Sequence, residues 1–146
     1  MTKIALIIER LNLDLGGAER STWEIAQQLQ SEGFEPTILA AACSDRIEGV
    51  ISLCSKDSTE RIPFSVFGNT LREHLASHSY DIIHSMLPYD FADIYLPMGG
   101  SYKETYLRNA ASYHGFLIPM WKRLTHGFNT GRTELLKAEE NICKNK

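Results

Sequence analysis

Apolar residues in this chain fall into two alternating patterns. Short β-branched and aliphatic runs at 3–8 (KIALII), 36–42 (PTILAAA) and 80–85 (YDIIHS) are too brief for helices. The first is apolar on both sides, as a central parallel strand is, and the second also reads as buried. Weaker runs at 50–54 and 94–97 read as the third and fifth strands in chain order. Between the strands the period changes. Ala18, Thr22, Ile25, Ala26 and Leu29 recur at helical spacing over 18–31, and Gly33 stops that helix. Phe64, Phe67, Leu71 and Leu75 give a second helical stripe, with Gly68 as a tolerated blemish. Beyond the fifth strand the pattern predicts helices at about 102–111, 118–125 and 133–143.

Such alternation implies a parallel sheet with helices on both faces, joined by right-handed crossovers. The expected fold is α/β, a doubly wound Rossmann-like sheet with its first and fourth strands side by side. The charged stretch 44–48 reads as a turn and 127–131 as a hinge. No internal repeat or low-complexity tract interrupts the pattern. The chain closes on a helix where the alternation next supplies a strand, so continuation into further structure is expected.

Composition narrows the picture. A chain of 146 residues, 43% hydrophobic and 23% charged, is sized for one domain. It buries roughly 68–70% of its unfolded surface and needs neither disulfides nor a structural metal. Apolar runs such as Ile4 to Ile8 fall far short of the ~20 residues that span a bilayer and are too short for a signal-peptide core, so a cytoplasmic location is expected. Cys43, Cys54 and Cys143 lack C-x-x-C or metal spacing; they fit a reducing compartment and read as packing residues. The net charge of -3 hides an asymmetry: positions 1–100 carry seven Lys and Arg against 14 Asp and Glu, whereas 101–146 carry eight against four. Within that basic tail, 113–128 (YHGFLIPMWKRLTHGF) mixes aromatics with cations. It suits either a core-packing helix with a basic outer face or a membrane interface.

In open α/β sheets ligands gather outside the carboxyl ends of the strands, where strand order reverses. The loops after the first, fourth and fifth strands are therefore the candidate sites. Two of them place a glycine pair before a helix, Gly16-Gly17 ahead of Ala18 and Gly99-Gly100 ahead of Ser101. Glycine lets a backbone approach an anion, and the first helical turn offers unpaired N–H groups and positive dipole charge. A plain tight turn is the alternative use of either pair. Ser101 with Glu104 also forms a capping box, which satisfies the second helix start internally. Neither loop is a dinucleotide fingerprint, since the first glycine of G-x-G-x-x-G falls at Asp14, and no Gly-Lys-Ser/Thr makes a P-loop. ATPase and ordinary dehydrogenase chemistry lose ground. His84 closes the fourth strand, where Glu9, Asp14, Tyr89 and Asp90 can share its crevice; His84 and Glu9 stand out as catalytic candidates. There is no Gly-x-Ser-x-Gly elbow, and the five histidines form no metal motif. His74 and His78 share a helix with Leu71 and Leu75 and read as a helix edge, so no metal is expected.

These residues carry a family resemblance. The stretch 4–20 (IALIIERLNLDLGGAER), continuing through 23–29 (WEIAQQL) and 32–39 (EGFEPTIL), closely resembles the amino-terminal half of family-4, GT-B-fold glycosyltransferases. DIIHS at 81–85 resembles the family's fourth strand, and YLPMGG at 95–100 its fifth strand and following loop. The segment 101–146 is similar to bacterial glycosyltransferases of the lipopolysaccharide-core type. The resemblance implies a retaining, metal-independent transfer from a nucleotide-sugar donor, with no cofactor, to a glycan or lipid-linked acceptor in cell-envelope synthesis. It implies two Rossmann-like domains, this chain being the acceptor-side half and a carboxyl-terminal donor-binding domain lying outside it, so that the chain alone is not expected to catalyse transfer. Gly16 and Gly17 match the loop near the donor diphosphate. Glu9, Asn12, His84 and Tyr89 are then expected to orient acceptor hydroxyls, while Gly99, Gly100 and Tyr102 shape the acceptor cleft. Peripheral contact with the cytosolic membrane face fits a lipid-linked acceptor; nucleic acid is not an expected partner. One departure matters: Met98 stands where many members carry a histidine, and that histidine's role does not transfer to it. Two alternatives stay open, a nucleotide-sugar epimerase on the same fold and a non-catalytic membrane-surface or interaction module.

Overall fold

The computed structural model describes residues 1–144 apart from 15, 45, 58 and 106–129. Ile4 through Ile8 are all buried because β1 (Lys3–Leu11) runs through the centre of a five-stranded parallel sheet. The other strands are β2 (Glu35–Cys43), β3 (Val50–Ser55), β4 (Ile82–Ser85) and β5 (Ile94–Tyr95), in the order β3-β2-β1-β4-β5. The chain builds outward from β1 to β3 and then returns to β1's other side with β4. Strand order therefore reverses between β1 and β4, as the sequence predicts, and the carboxyl ends of these two strands frame the switch point.

Alternation along the strands feeds two cores. Ile4, Leu6 and Ile8 join Ile38 and Ala40 under α1 (Gly17–Ser31), which contributes Ala26, Trp23 and Leu29. Ala5 and Ile7 join Leu39 and Ala41 under α2 (Phe64–Ser77), which contributes Phe67 and Leu71. A third helix, α3 (Thr130–Lys144), lies beside α2 and packs Leu135 against the second core. Gly33, at φ 86°, takes the left-handed conformation that ends α1, and the Phe34 N–H donates to the Leu29 carbonyl at 3.0 Å.

The structure departs from the sequence reading in several places. The connection from β2 to β3, expected as a turn, has to travel back along the strand because the two strands are parallel. Parallel neighbours usually need a dozen or more connecting residues. Here Val50 pairs beside Ile38, the Ile38 N–H donates to the Gly49 carbonyl at 2.8 Å, and Ile47 packs on the α1-side core. β4 starts at Ile82 rather than Tyr80 because Asp81 acts as a clamp: its carboxylate accepts the Lys3 N–H at 2.7 Å. Asp93 does the same before β5, accepting the Ile83 N–H at 2.7 Å. Gly131 lies within α3, so the expected hinge does not extend through it. Cys143 is exposed, unlike the packing residue expected, whereas Cys43 is buried and Cys54 half-buried. The expected helix 118–125, the aromatic and basic segment 113–128 and most of the helix 102–111 lie outside the described residues. Among the described residues, no helix is long and apolar enough to cross a membrane.

Candidate active site

The first loop leaves β1 with Glu9 half-buried near the strand's end. Asn12 turns the chain through its side chain, Oδ1 accepting the Asp14 N–H at 2.9 Å. Gly16 then enters α1 in extended conformation, and no side chain caps the helix. Its first N–H groups thus point out of the sheet edge, where dipole and donors together favour an anion. Glu19 folds back over this turn: a Cβ added at Gly16 would stand 2.6 Å from Glu19 Oε2. At Gly17 an added Cβ meets nothing within 4 Å.

The second glycine loop ends differently. Gly100 has φ 80°, and a helix begins at Tyr102. Ser101 Oγ accepts the Glu104 N–H at 3.1 Å, the serine half of the capping box. The remaining donors go to Glu139, a residue that sequence reasoning missed. Its carboxylate accepts the Tyr102 N–H at 3.1 Å, the Lys103 N–H at 3.2 Å and the Tyr95 hydroxyl at 2.9 Å, while the residue is only 6% exposed. The anion position at this helix start is already filled by a carboxylate of the same chain. A signal existed, since Glu139 falls four residues after Leu135 and three before Ile142, on the inward stripe of α3.

Between the two loops lies a cavity of about 170 Å³ lined by Glu9, Glu19, Met86, Met98, Gly99 and Tyr102, among others. Burial pushes the Tyr102 hydroxyl above the ordinary tyrosine value, and the negative charges of Glu9 and Glu139 add to the shift. Tyr102 therefore stays a neutral donor beside the Glu9 carboxylate. That pair can present both an acceptor and a donor to a hydroxylated ligand.

His84 and Tyr89 sit elsewhere. In register, His84 pairs with Leu6 of β1 and Ile94 of β5, and strand alternation puts it with Leu6 on the α1 face. Glu9 lies three positions further along β1 than Leu6, the register partner of His84, where strict alternation gives way: Leu11, of the same parity as Glu9, joins the α1-side core. His84 does not line the cavity. Its Nε2 is buried with no partner among the described residues, and burial lowers its pKa below 6.5. Tyr89 is 5% exposed in the α2-side core, its hydroxyl donating to the Phe64 carbonyl at 2.9 Å. Burial also drives that hydroxyl's pKa far up, with smaller contributions from Cys54 and Glu9. Asp14 is exposed, and Asp90 pairs with Arg72 at 2.6 Å instead of entering the crevice. Among the described residues, no three His, Cys, Asp or Glu side chains cluster where they could hold a metal. His74 and His78 stack on each other at 4.1 Å.

The sequence profile of Glycosyltransferase Family 4 matches residues 15–142, from the first glycine loop through most of α3. The chain belongs to glycosyltransferase family 4. Its fold is similar to the crystal structure of WaaG, a glycosyltransferase involved in lipopolysaccharide biosynthesis, with a TM-score of 0.65 at 19% sequence identity. That match covers 95% of this chain and 35% of WaaG. The family-4 chain described here thus corresponds to one Rossmann-like half of a GT-B architecture. No curated protein matches the sequence.

Proposed function

We propose that this family-4 domain is the acceptor-side half of a glycosyltransferase that uses a nucleotide-sugar donor, needs no metal and retains anomeric configuration. Its place is the synthesis of cell-envelope glycan or lipopolysaccharide, in the cytoplasm or on the cytosolic membrane face. The observation that carries the proposal is the uncapped α1 start behind Gly16 and Gly17, set at the switch point beside a cavity holding Glu9 and Tyr102. Backbone N–H groups there offset charge on the departing diphosphate, the electrostatic aid that transfer most needs. Donor recognition and the remaining contacts with the diphosphate fall to a second domain.

In this scheme Glu9 accepts from an acceptor hydroxyl and Tyr102 donates to one. Asn12 holds the loop's shape, Gly99 leaves its part of the cavity wall without a side chain, and Gly100 supplies the left-handed turn that leads to Tyr102. His84 does not line this cavity and is given no contact with the acceptor. The Tyr89 hydroxyl is already engaged and receives none either. Replacing Gly17 by leucine tests the reading, because the position has open space for a side chain and the fold should persist. In the enzyme assembled with its donor-binding domain, Gly17→Leu should reduce turnover of the nucleotide-sugar at least a hundredfold with an unchanged circular dichroism spectrum. Undiminished turnover rejects the diphosphate role.

A further inference from the structure

The 170 Å³ cavity is smaller than the roughly 300–1,000 Å³ usual for small-molecule sites. A second cleft, of about 730 Å³, opens between α2 and α3. One loop connects the two. Met86 and Leu87 line the small cavity, and Pro88, Tyr89 and Asp90, the next residues, line the cleft. Tyr95, also on the cleft wall, is tied through Glu139 to the backbone of Tyr102 in the small cavity.

The wall of the cleft is built to hold still. Tyr89 is sandwiched between Phe64, at 4.4 Å and within 4° of parallel, and Phe91, at 5.0 Å. Its ring lies so close to α2 that a Cβ at Gly68 would stand 2.8 Å from Tyr89 Cε1. At the rim, Arg72 pairs with Asp90 and lies over the Phe91 ring at 4.7 Å. Asn69 from α2 and Asn141 from α3 line the cleft from its two sides, and neither side chain makes a hydrogen bond to another described residue.

This chemistry selects among ligands. A phosphate needs unopposed cations, but the charge of Arg72 is already paired with Asp90. A lipid tail would strip water from Asn69 and Asn141 and offer nothing in return. A neutral saccharide presents an apolar C–H face for the half-buried rings of Phe64, which Tyr89 backs, and Tyr95, and hydroxyls that both donate and accept, which carboxamides match. We propose that the α2–α3 cleft binds a neutral saccharide unit of the acceptor, remote from the transferred sugar and reached along the 86–90 loop. The proposal rests on the acceptor-side reading above and assigns that reading a second, larger contact.

The experiment titrates the chain with the dephosphorylated oligosaccharide released from bacterial lipopolysaccharide by mild acid, following side-chain amide resonances by NMR. Saturable binding is expected, with shifts at Asn69 and Asn141. Asn69→Ala and Asn141→Ala should each weaken it about tenfold, the worth of one hydrogen bond of ~1.4 kcal/mol. Both positions are exposed on helices, where alanine is compatible with folding. Gln27→Ala, on the α1 face, should change nothing. Absence of saturable binding overturns the proposal, as does equal binding by both asparagine variants or displacement by inorganic phosphate at constant ionic strength. Binding needs no donor and no turnover, so failure here leaves the Gly17 test standing, and failure there leaves this one readable.

Discussion

Glu139 is an acid where the helix period asks for an apolar side chain, and its surroundings explain why it is tolerated. Two backbone donors and a tyrosine hydroxyl converge on it, so the buried carboxylate is satisfied as a helix cap rather than by a cation. Removing it strands those donors. Glu139→Ala should cost about 3 kcal/mol in urea unfolding, near the value of one to two hydrogen bonds to a charged group. Glu139→Gln should fall between, because one carboxylate oxygen becomes an amide donor facing an N–H. Equal stability of all three proteins would mean that the cap contributes nothing. Side-chain roles were the least legible part of the sequence. The glycine pairs were visible as loops, but that the second helix start is capped by a remote carboxylate, while the first has no side-chain cap hydrogen bond, depends on α3, some thirty-six residues downstream of the second loop. His84 and Glu9 were legible as polar residues near strand ends, but their spacing was not: in register His84 stands beside Leu6, three positions before Glu9.

Among elements, α2 and β4 carry the histidines whose titration the fold alters. His74 is pushed below 6.5 first by burial and then by the charge of His78 stacked against it, with Tyr80 Oη 3.0 Å from its Nε2. His84 is lowered by burial alone. Both folded values lie below the unfolded one, so the unfolded chain binds more protons near that range. Stability is therefore fully present above about pH 6.5 and is lost as pH falls through the lowered folded values. The urea midpoint should drop between pH 7.5 and 5.5, and His84→Gln together with His74→Gln should flatten that drop. A midpoint that rises on acidification would contradict both shifts. The elements themselves were largely legible, because the change of period from strand to helix is a local signal. Their ends were not. β4 is shortened by the carboxylate of Asp81 reaching across to Lys3, a contact 78 residues apart in sequence, and the β2–β3 return could not be told from a turn without the strand pairing.

At the scale of the molecule, one sheet serves two cores, and β1 and β2 lend alternate residues to each. The backbone joining Leu6 to Ile7 is the same ladder for both, so the α1 face and the α2 face should not melt independently. The two faces carry different reporters. Trp23 packs against the α1-side core, and Phe67 is 1% exposed in the α2-side core. The second tryptophan, Trp121, can be replaced by phenylalanine to leave Trp23 as the sole fluorophore. Phe67→Leu in that background removes aromatic contacts with Tyr89 and should cost about 1–2 kcal/mol, little enough for the chain to remain folded. If the sheet couples the faces, the Trp23 transition in urea moves by the full amount and stays superimposed on the transition seen by circular dichroism. A Trp23 transition that stays in place while the ellipticity transition shifts would show that the α1 layer is a separate unit. The same coupling bears on function, since the Gly16-Gly17 loop hangs from α1 while the saccharide cleft lies against α2. A sheet that unfolds as one body holds the proposed diphosphate contact and the proposed saccharide contact at a fixed spacing, as transfer from donor to acceptor requires.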